Sequence, residues 1–314
     1  MGKKKRKDFV PPIAEKLPEL IVDNHTHIAE QQIPAAGKQQ AVDADGELLP
    51  PIYLDTLLAG MEAAGVAGAI TSGCDIPSLA YTRALAEKYP NIGAALAIHP
   101  NEAALHAGVE EASPDGLQPE QEDYHREYSL AAAIEVVAEA AQAPEVVAVG
   151  ESGLDYFRTG PGGKAAQKEA FRAHIALAKE LNKPLQIHDR EAHADVVDIL
   201  RRDGAPERTV FHCFSGDREL AEICARAGWY ASFSGNVTYP ANADLREAFF
   251  CLPTELILVE TDAPYLTPLP YRGHPNVVWG VAYTARYLAE CRGIELAEWC
   301  KILRANTRRV YDFL

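Results

Sequence analysis

Two histidines near the start of the chain have the spacing of a metal site. They stand in Val22-Asp23-Asn24-His25-Thr26-His27, at the end of the first short apolar run, Leu20–Val22. Side chains two positions apart in an extended strand point to the same face, so His25 and His27 could hold one metal ion. A His-x-His pattern also arises by chance, and each histidine could instead be solvated or hydrogen-bonded.

Residue types that commonly bind metals also follow several of the other apolar runs. Five of the ten histidines come at or just after the end of such a run, namely His25, His27, His99, His188 and His212. Glu151 and Asp262 occupy the same position after two more runs. Because the carboxyl ends of the parallel strands in a barrel converge on one face, we expect these side chains to meet there.

The expected ligand set comprises four imidazoles and two carboxylates, namely His25, His27, His188, His212, Glu151 and Asp262. Neutral nitrogens for each ion and a carboxylate that can bridge suit a pair of divalent ions. The two early histidines are expected to hold one ion and the two late ones mainly the other, with Glu151 between them. Asp262 is expected to complete a coordination sphere and to accept a proton from the attacking water. Each residue alone has an ordinary structural explanation, but a metal centre explains all six at once.

Eight apolar runs, with helical stretches between them, would position these side chains. The runs are Leu20–Val22, Val66–Ile70, Ile92–Ile98, Val146–Val149, Pro184–Ile187, Thr209–Phe211, Trp229–Phe233 and Leu256–Val259. Regular alternation of strand and helix indicates a parallel sheet, and eight such units indicate a closed (β/α)8 TIM barrel of the α/β class. An open doubly wound sheet is the alternative, although no glycine-rich dinucleotide loop follows the first run.

The same pattern predicts one large domain. Helices are expected near Tyr53–Ala64, Ser78–Lys88, 129–142, Lys164–Leu181, Ala192–Arg201, Val281–Cys291 and Leu296–Tyr311. Residues 101–128 form a polar, acidic insertion within a single barrel domain over residues 13–314. Residues 1–12 are expected to be a flexible basic tail, either a solvated end or a transient contact for nucleic acid.

The overall charge limits how the chain could contact nucleic acid or a membrane. The formal net charge is −15, and Met1–Asp8 contributes five positive charges and one negative charge, so the rest of the chain carries −19. Such acidity opposes broad adhesion to DNA or anionic membranes, and a nuclease would need a local cationic centre such as bound metals. The six cysteines include no Cys-x-x-Cys pair, and no export signal or transmembrane run follows the basic start. We therefore expect a reducing, cytoplasmic setting.

The motifs resemble those of the TatD-like metal-dependent deoxyribonuclease family of the amidohydrolase superfamily. The matching segments are Asp23–His27, Gly150–Tyr156, Ile187–Arg190, Phe211–Gly216, Glu260–Leu266, Pro270–Gly273 and Asn306-Thr307. The resemblance implies a distorted TIM barrel with the same six ligands, in which Glu151 rather than a carboxylated lysine bridges the metals. It also implies hydrolysis of DNA phosphodiester bonds with divalent ions, often exonucleolytically. The segment His274–Val278 and the long insertion at 101–128 depart from the family pattern, and both bear on substrate preference.

The expected function is hydrolysis of DNA, as a 3′–5′ exonuclease, by a water that two divalent ions activate. The residue types of the expected ligands are compatible with Zn, Mn or Mg and do not determine which metal is bound. Arg272 is the candidate phosphate contact and His99 a second candidate substrate contact, although an exposed arginine and a packing histidine are the alternatives. Ester, amide or aminoacyl-RNA hydrolysis on the same barrel is the second hypothesis, and a non-catalytic metal-bound scaffold the third. The sequence does not fix the oligomeric state, with a monomer as the working expectation.

Overall fold

The eight predicted strands form one parallel sheet. The computed structural model describes residues 10–32, 35–36, 39–40, 48 and 50–314. The strands are β1 (Ile21–Thr26), β2 (Val66–Gly73), β3 (Ile92–Leu96), β4 (Val146–Asp155), β5 (Leu185–Arg190), β6 (Thr209–Phe211), β7 (Tyr230–Phe233) and β8 (Ile257–Val259). They pair in chain order, each parallel to its neighbours. The predicted TIM barrel is confirmed, and the strand order is not that of a doubly wound sheet.

Side chains join β8 to β1, where the described residues show no backbone ladder. Asn24 Nδ2 donates to Val259 O at 2.8 Å. The Asp23 carboxylate accepts from Thr261 N at 2.8 Å and from Thr261 Oγ1 at 2.5 Å. These polar side chains connect the two strands at this seam of the barrel.

Helices follow the strands and cover the outside of the barrel. They are α1 (Leu54–Ala64), α2 (Ile76–Lys88), α3 (Pro100–His106), α4 (Asp123–Glu127), α5 (Leu130–Ala140), α6 (Lys164–Glu180), α7 (His193–Asp203), α8 (Arg218–Ala227), α9 (Ala243–Cys251), α10 (Val281–Arg292) and α11 (Leu296–Tyr311). Side chains cap several of them, as where Asp75 and Asp217 accept backbone N–H groups at the starts of α2 and α8. All seven predicted helices are present. Within the described part of the chain, none of the helices is both long and apolar enough to cross a bilayer.

Short elements connect this framework. Single 3₁₀ turns span Pro161–Gly163, Gly235–Thr238, Thr254–Leu256 and Val278–Gly280. Two antiparallel ladders of two residues a strand pair Gln31–Gln32 with Ile52–Tyr53 and Ala35–Ala36 with Gln39–Gln40.

Apolar side chains fill the barrel beneath its polar carboxyl ends. The strands contribute Ile70, Ala95, Ala148, Val210, Tyr230 and Leu258 to one buried cluster. Val310 and Tyr311 at the end of α11 join this cluster. A larger buried core lies between the strands and the surrounding helices. The interior is therefore a packed core, and room for a ligand remains at the carboxyl ends.

The predicted insertion at 101–128 folds against the barrel. His125 Nδ1 accepts from Glu122 N at 2.8 Å, so its Nε2 carries the proton and donates to Glu102 Oε2 at 2.8 Å. The Asp115 carboxylate lies 2.9 Å from an Arg158 guanidinium nitrogen just beyond β4. These contacts link α3 to α4, and the segment between these helices to the loop after β4.

The first described residues of the chain contact α10 and the 3₁₀ turn that precedes it. Residues 1–9 of the predicted basic tail lie outside the described residues. The Pro11 carbonyl accepts from Trp279 Nε1 at 3.0 Å, and the Pro12 carbonyl accepts from Tyr283 Oη at 2.8 Å. Backbone at positions 11 and 12 is thus hydrogen-bonded to the barrel domain.

Candidate metal centre

All six predicted ligands meet at the carboxyl end of the barrel. His25 lies in β1, His27 directly after β1, Glu151 in β4, His188 in β5, His212 directly after β6 and Asp262 shortly after β8. Their side-chain nitrogens and oxygens form several overlapping groups whose members lie within 4.8 Å of one another. The structure therefore brings these residues together, and their role as metal ligands stays a prediction.

Glu151 faces two groups of imidazoles with its two carboxylate oxygens. Its Oε1 lies 3.5 Å from Nε2 of both His25 and His27. Its Oε2 lies 2.6 Å from His212 Nε2 and 3.1 Å from His188 Nδ1. A carboxylate that turns one oxygen towards each of two nitrogen clusters has the geometry needed to bridge two cations.

His25 is held in the tautomer that a metal ligand requires. Its Nδ1 lies 2.9 Å from Gln186 Oε1, a carbonyl oxygen that can only accept, so Nδ1 carries the proton. The Gln186 amide is fixed in turn, because its nitrogen donates to Asn24 O and Tyr311 Oη. His25 Nε2 faces the centre, where it is buried and has no hydrogen-bond partner among the described residues. An unpartnered buried nitrogen beside carboxylates fits a divalent cation.

Asp262 is tied to the segment that carries the first two histidines. Asp262 N donates to His25 O at 3.0 Å, and His27 N donates to Ala263 O at 2.9 Å. Asp262 Oδ1 lies 3.5 Å from His27 Nε2. Burial would raise the pKa of Asp262, but the hydrogen bond with His27 and the charges of the neighbouring His212, His27 and His25 together lower the pKa below its usual value. Asp262 is therefore a carboxylate at neutral pH.

Carboxylates orient the two later histidines. His188 Nε2 lies 3.1 Å from Asp155 Oδ2, which leaves Nδ1 facing Glu151. His212 Nδ1 lies 3.4 Å from Glu260 Oε1, while its Nε2 contacts Glu151. A carboxylate behind a ligating histidine fixes the ring and raises its basicity.

Carboxylates and imidazoles of opposite charge face each other in the centre. Burial would raise the pKa of Glu151, but the facing His212 and His188 hold that pKa well below its usual value. Burial likewise opposes protonation of His188, yet hydrogen bonds to Asp155 and Glu151 raise its pKa to about 9. Divalent cations would replace these protons, because coordination requires neutral imidazoles.

His99 stands at the edge of the second group in the opposite tautomer. Its Nδ1 accepts from Asn101 N at 3.1 Å, so a neutral ring carries its proton on Nε2. Burial, together with the neighbouring His188, lowers the pKa of His99 to about 3. Its Nε2 lies 3.9 Å from Glu151 Oε2. His99 thus presents an N–H donor to the centre, and its contact with substrate stays a prediction.

A cavity of about 660 Å³ opens onto the centre. Arg158 and Arg190 are the arginines among the described residues that line the cavity, and the Arg190 guanidinium carbon lies 3.9 Å from the centre of the Phe157 ring. Arg272, the predicted phosphate contact, lies with its guanidinium carbon 4.3 Å from the centre of the Tyr239 ring. The structure does not bring Arg272 into the cavity wall that the described residues form, because its loop places it against this ring.

Sequence reasoning missed the partners that orient the ligands. Gln186, Asp155 and Glu260 stand behind three of the histidines, and the thiol of Cys74 lies beside Glu151. A polar Gln186 inside an otherwise apolar strand was a usable signal, because a buried amide needs partners. Asp155 and Glu260 lie within quoted motifs, but spacing along the chain cannot show which histidine a carboxylate faces.

Comparison with known proteins identifies the family. The sequence profile described as "TatD related DNase" matches residues 22–312. The chain belongs to this family. As a TatD-related protein it is a metal-dependent hydrolase, which confirms the resemblance seen in the motifs.

Individual relatives agree with this assignment. A Mycobacterium tuberculosis protein named "Uncharacterized metal-dependent hydrolase TatD" is 39% identical over 295 residues, which cover 93% of this chain and 97% of the relative. An Escherichia fergusonii protein named "3'-5' ssDNA/RNA exonuclease TatD" is 32% identical over 220 residues, 68% of this chain and 74% of that protein. The crystal structure of the TatD homologue YjjV from Escherichia coli superposes with a TM-score of 0.69 at 28% identity, covering 83% of this chain and 92% of that chain.

Proposed function

We propose that this TatD-related hydrolase cleaves phosphodiester bonds in DNA, removing nucleotides from the 3′ end of single strands with the help of two divalent ions. The observation that carries the proposal is Glu151, whose two carboxylate oxygens face separate imidazole groups. The ions would be held on either side of Glu151 by His25, His27 and Asp262 and by His188 and His212.

The residues around the ions have distinct roles in this proposal. Bound divalent ions would supply Lewis acidity, which lowers the pKa of water and neutralises negative charge on a phosphate. Asp262 Oδ1 would accept the proton of the attacking water, because its carboxyl group is ionised and its side chain keeps 14% exposure. His99 Nε2 would donate a hydrogen bond to a phosphate oxygen.

Side chains on the cavity wall suit a nucleic-acid strand. Arg190 can pair with phosphate oxygens through its guanidinium group, whereas Arg158 pairs with the Asp115 carboxylate. Tyr265 is 62% exposed, and its ring centre lies 6.4 Å from that of His27. An exposed aromatic ring beside the centre offers a surface on which a base can stack.

Two further considerations favour the 3′ end of a single strand. A concave cavity over the ligands suits the end of a single nucleic-acid strand better than the side of a duplex. The Escherichia fergusonii relative is named as an exonuclease acting 3′ to 5′ on single-stranded DNA and RNA. The family description also names a DNase.

The proposal is tested with purified protein reloaded separately with Zn²⁺, Mn²⁺ and Mg²⁺. We expect 5′-labelled single-stranded DNA to shorten stepwise and 3′-labelled DNA to release labelled mononucleotide. Single-stranded RNA and small ester and amide substrates are assayed in parallel, because barrels of this kind host several hydrolytic reactions. Turnover of an ester or amide without any trimming of DNA would reject the proposal.

Two variants test the assigned roles. We expect Asp262→Asn to lower turnover by about 10²-fold or more, the usual contribution of a general base, with metal content measured alongside. His188→Ala is expected to lose turnover together with part of the bound metal. His193→Ala, a histidine on α7 outside the ligand set, is the matched control. Wild-type turnover and metal content in His188→Ala would contradict a centre with two ions.

A further inference from the structure

Cys74 lies against the metal centre although it is outside the predicted ligand set. It directly follows β2, at the same end of the barrel as the ligands. Its Sγ lies 3.4 Å from Glu151 Oε1 and 3.1 Å from Ser72 Oγ. The sulfur, a ring nitrogen of His27 and a Glu151 carboxylate oxygen all lie within 4.8 Å of one another, a spacing at which they could share one ion.

The backbone of Cys74 is fixed on both sides. Cys74 N donates to Ser78 Oγ at 3.1 Å, at the start of α2, and Cys74 O accepts from His99 N at 2.9 Å. These bonds hold the side chain on the Oε1 side of Glu151, where His25 and His27 lie. The position of the sulfur is therefore set by the fold and not by a mobile loop.

A second observation points to an ion at the same place. His25 Nε2 is buried without a hydrogen-bond partner among the described residues, and it lies 3.5 Å from the same Glu151 Oε1 that the Cys74 sulfur contacts. The unpartnered nitrogen and the sulfur thus approach one carboxylate oxygen. A cation there would satisfy both.

We propose that Cys74 binds, as a thiolate, the divalent ion held by His25 and His27, and that it makes this half of the centre prefer thiophilic ions such as Zn²⁺ or Co²⁺ to Mg²⁺. On coordination the thiol releases its proton to solvent and a sulfur–metal bond forms, without oxidation or reduction. Thiolate ligands favour softer ions, whereas Mg²⁺ prefers oxygen. The inference rests on the metal centre of the proposed function but not on its substrate.

Cys213 provides a matched control within the same cavity. It follows His212 and lines the cavity, but its Sγ lies 3.4 Å from Ser234 Oγ, and it belongs to none of the ligand groups among the described residues. Both cysteines are free thiols. A sulfur signal that depends on Cys74 and not on Cys213 would locate the ligand.

Cobalt substitution tests the proposal directly. Metal-free full-length protein is titrated with Co²⁺ under reducing conditions while its absorption spectrum is recorded. We expect a near-ultraviolet thiolate-to-cobalt charge-transfer band in the wild type and in Cys213→Ser. In Cys74→Ser the band should disappear, while the visible d–d bands of bound cobalt remain.

Competition with a chromophoric chelator gives a second readout. We expect Cys74→Ser to lower the Zn²⁺ affinity by about tenfold or more and to leave the Mn²⁺ affinity unchanged. Circular dichroism checks that the variant folds. If the variant does not fold, alkylation of Cys74 in the wild type is measured by mass spectrometry with and without zinc. Protection of Cys74 by zinc supports the proposal, and equal alkylation under both conditions overturns the proposal.

The outcomes separate this inference from the proposed nuclease activity. Visible cobalt bands without a charge-transfer band in the wild type would overturn it, as would a band that survives in Cys74→Ser. Absence of any cobalt binding would overturn both this inference and the metal centre. A Cys74-dependent band in a protein that does not trim DNA would support the thiolate ligand and reject the nuclease.

Discussion

The histidines of the centre are oriented by partners that lie far away in the sequence. Gln186 fixes the tautomer of His25, and Asp155 holds His188 with Nδ1 directed at Glu151. These contacts set the direction of each nitrogen lone pair before a cation arrives. Preorganised ligands lose less conformational entropy when the metal binds, so the residues that orient them contribute to metal affinity.

Asp155→Asn tests how Asp155 orients His188 without removing the hydrogen bonds by which Asp155 stabilises the turn after β4. Asp155 Oδ1 accepts from Phe157 N and Arg158 N, which an asparagine oxygen can still do. The asparagine N–H₂ group would then face the Nε2–H group of His188, at the position where Asp155 Oδ2 accepts a hydrogen bond from that nitrogen. Two donors would face each other. We expect metal affinity and kcat/KM to fall by about 10–100-fold with little loss of stability.

Calorimetric metal titration and steady-state kinetics measure this effect. Asp198→Asn, an exposed aspartate on α7, is the matched control and should behave as wild type. Unchanged metal affinity in Asp155→Asn would show that Asp155 serves only the turn after β4.

At the scale of the elements, β4 is shaped to deliver Glu151. Its register against β5 shifts between Val149 and Ser152, which face Leu185 and Ile187, so β4 has one extra residue there. Such a bulge redirects side chains next to a site. Beyond it, Gly153 pairs with His188 so closely that a Cβ on Gly153 would lie 2.0 Å from His188 O.

Gly153→Ala is therefore expected to disrupt the site more than an ordinary glycine substitution. Gly153 has a φ of +150°, and its added methyl group would push β4 from β5, costing about 3 kcal/mol or more of unfolding free energy together with metal affinity. Gly108→Ala is the control, because Gly108 also has a positive φ, +75°, but has open space around it. That control should cost about 1 kcal/mol. Urea unfolding with metal analysis measures both, and equal losses would contradict the close-approach argument.

The polar seam between β8 and β1 gives a second prediction at this scale. Asn24 donates to Val259 O and accepts from Thr307 Oγ1, all in buried surroundings. Asn24→Ala removes the side-chain donor to the buried Val259 carbonyl, whereas Thr307 Oγ1 can still donate to Leu303 O at 3.2 Å. We expect the variant to lower the unfolding free energy by about 2–3 kcal/mol.

Thr307→Val is the companion variant for the seam. It removes one hydroxyl at nearly constant volume and should cost about 1 kcal/mol. Denaturant titration by circular dichroism distinguishes the two values. An Asn24→Ala variant as stable as Thr307→Val would mean that the Val259 carbonyl finds another donor.

Alternation of apolar runs and helical stretches was sufficient to predict the barrel and the place of its ligands. It was insufficient for β4, predicted over Val146–Val149, because the glycines and polar residues up to Asp155 resemble a loop and form strand only through pairing with β5. Helices α8 and α9 were also missed, although Asp217 is a recognisable cap. Contacts such as Gln186 with His25 depend on closure of the barrel, which no local pattern encodes.

At the scale of the whole molecule, the net negative charge opposes the binding of nucleic acid. The net charge of −15 would repel a phosphate backbone, so binding must rely on metals and a few local cations. Arg158 is paired with Asp115, a residue of the acidic insertion, at 2.9 Å. Arg190 instead lies over the Phe157 ring, where its N–H groups can reach a phosphate.

The salt dependence of DNA hydrolysis should therefore be shallow and should depend on Arg190. One or two phosphate contacts give a slope of log kcat/KM against log salt of about −0.7 to −1.4 for single strands. Arg190→Gln is expected to raise KM and to reduce the steepness by about 0.7, with kcat little changed. Arg272→Gln is the comparison, because Arg272 lies against Tyr239 outside the cavity wall formed by the described residues. If Arg272→Gln flattens the dependence and Arg190→Gln does not, the phosphate contact is Arg272, as its place after the eighth strand first indicated, and the loop that carries it must move when DNA binds.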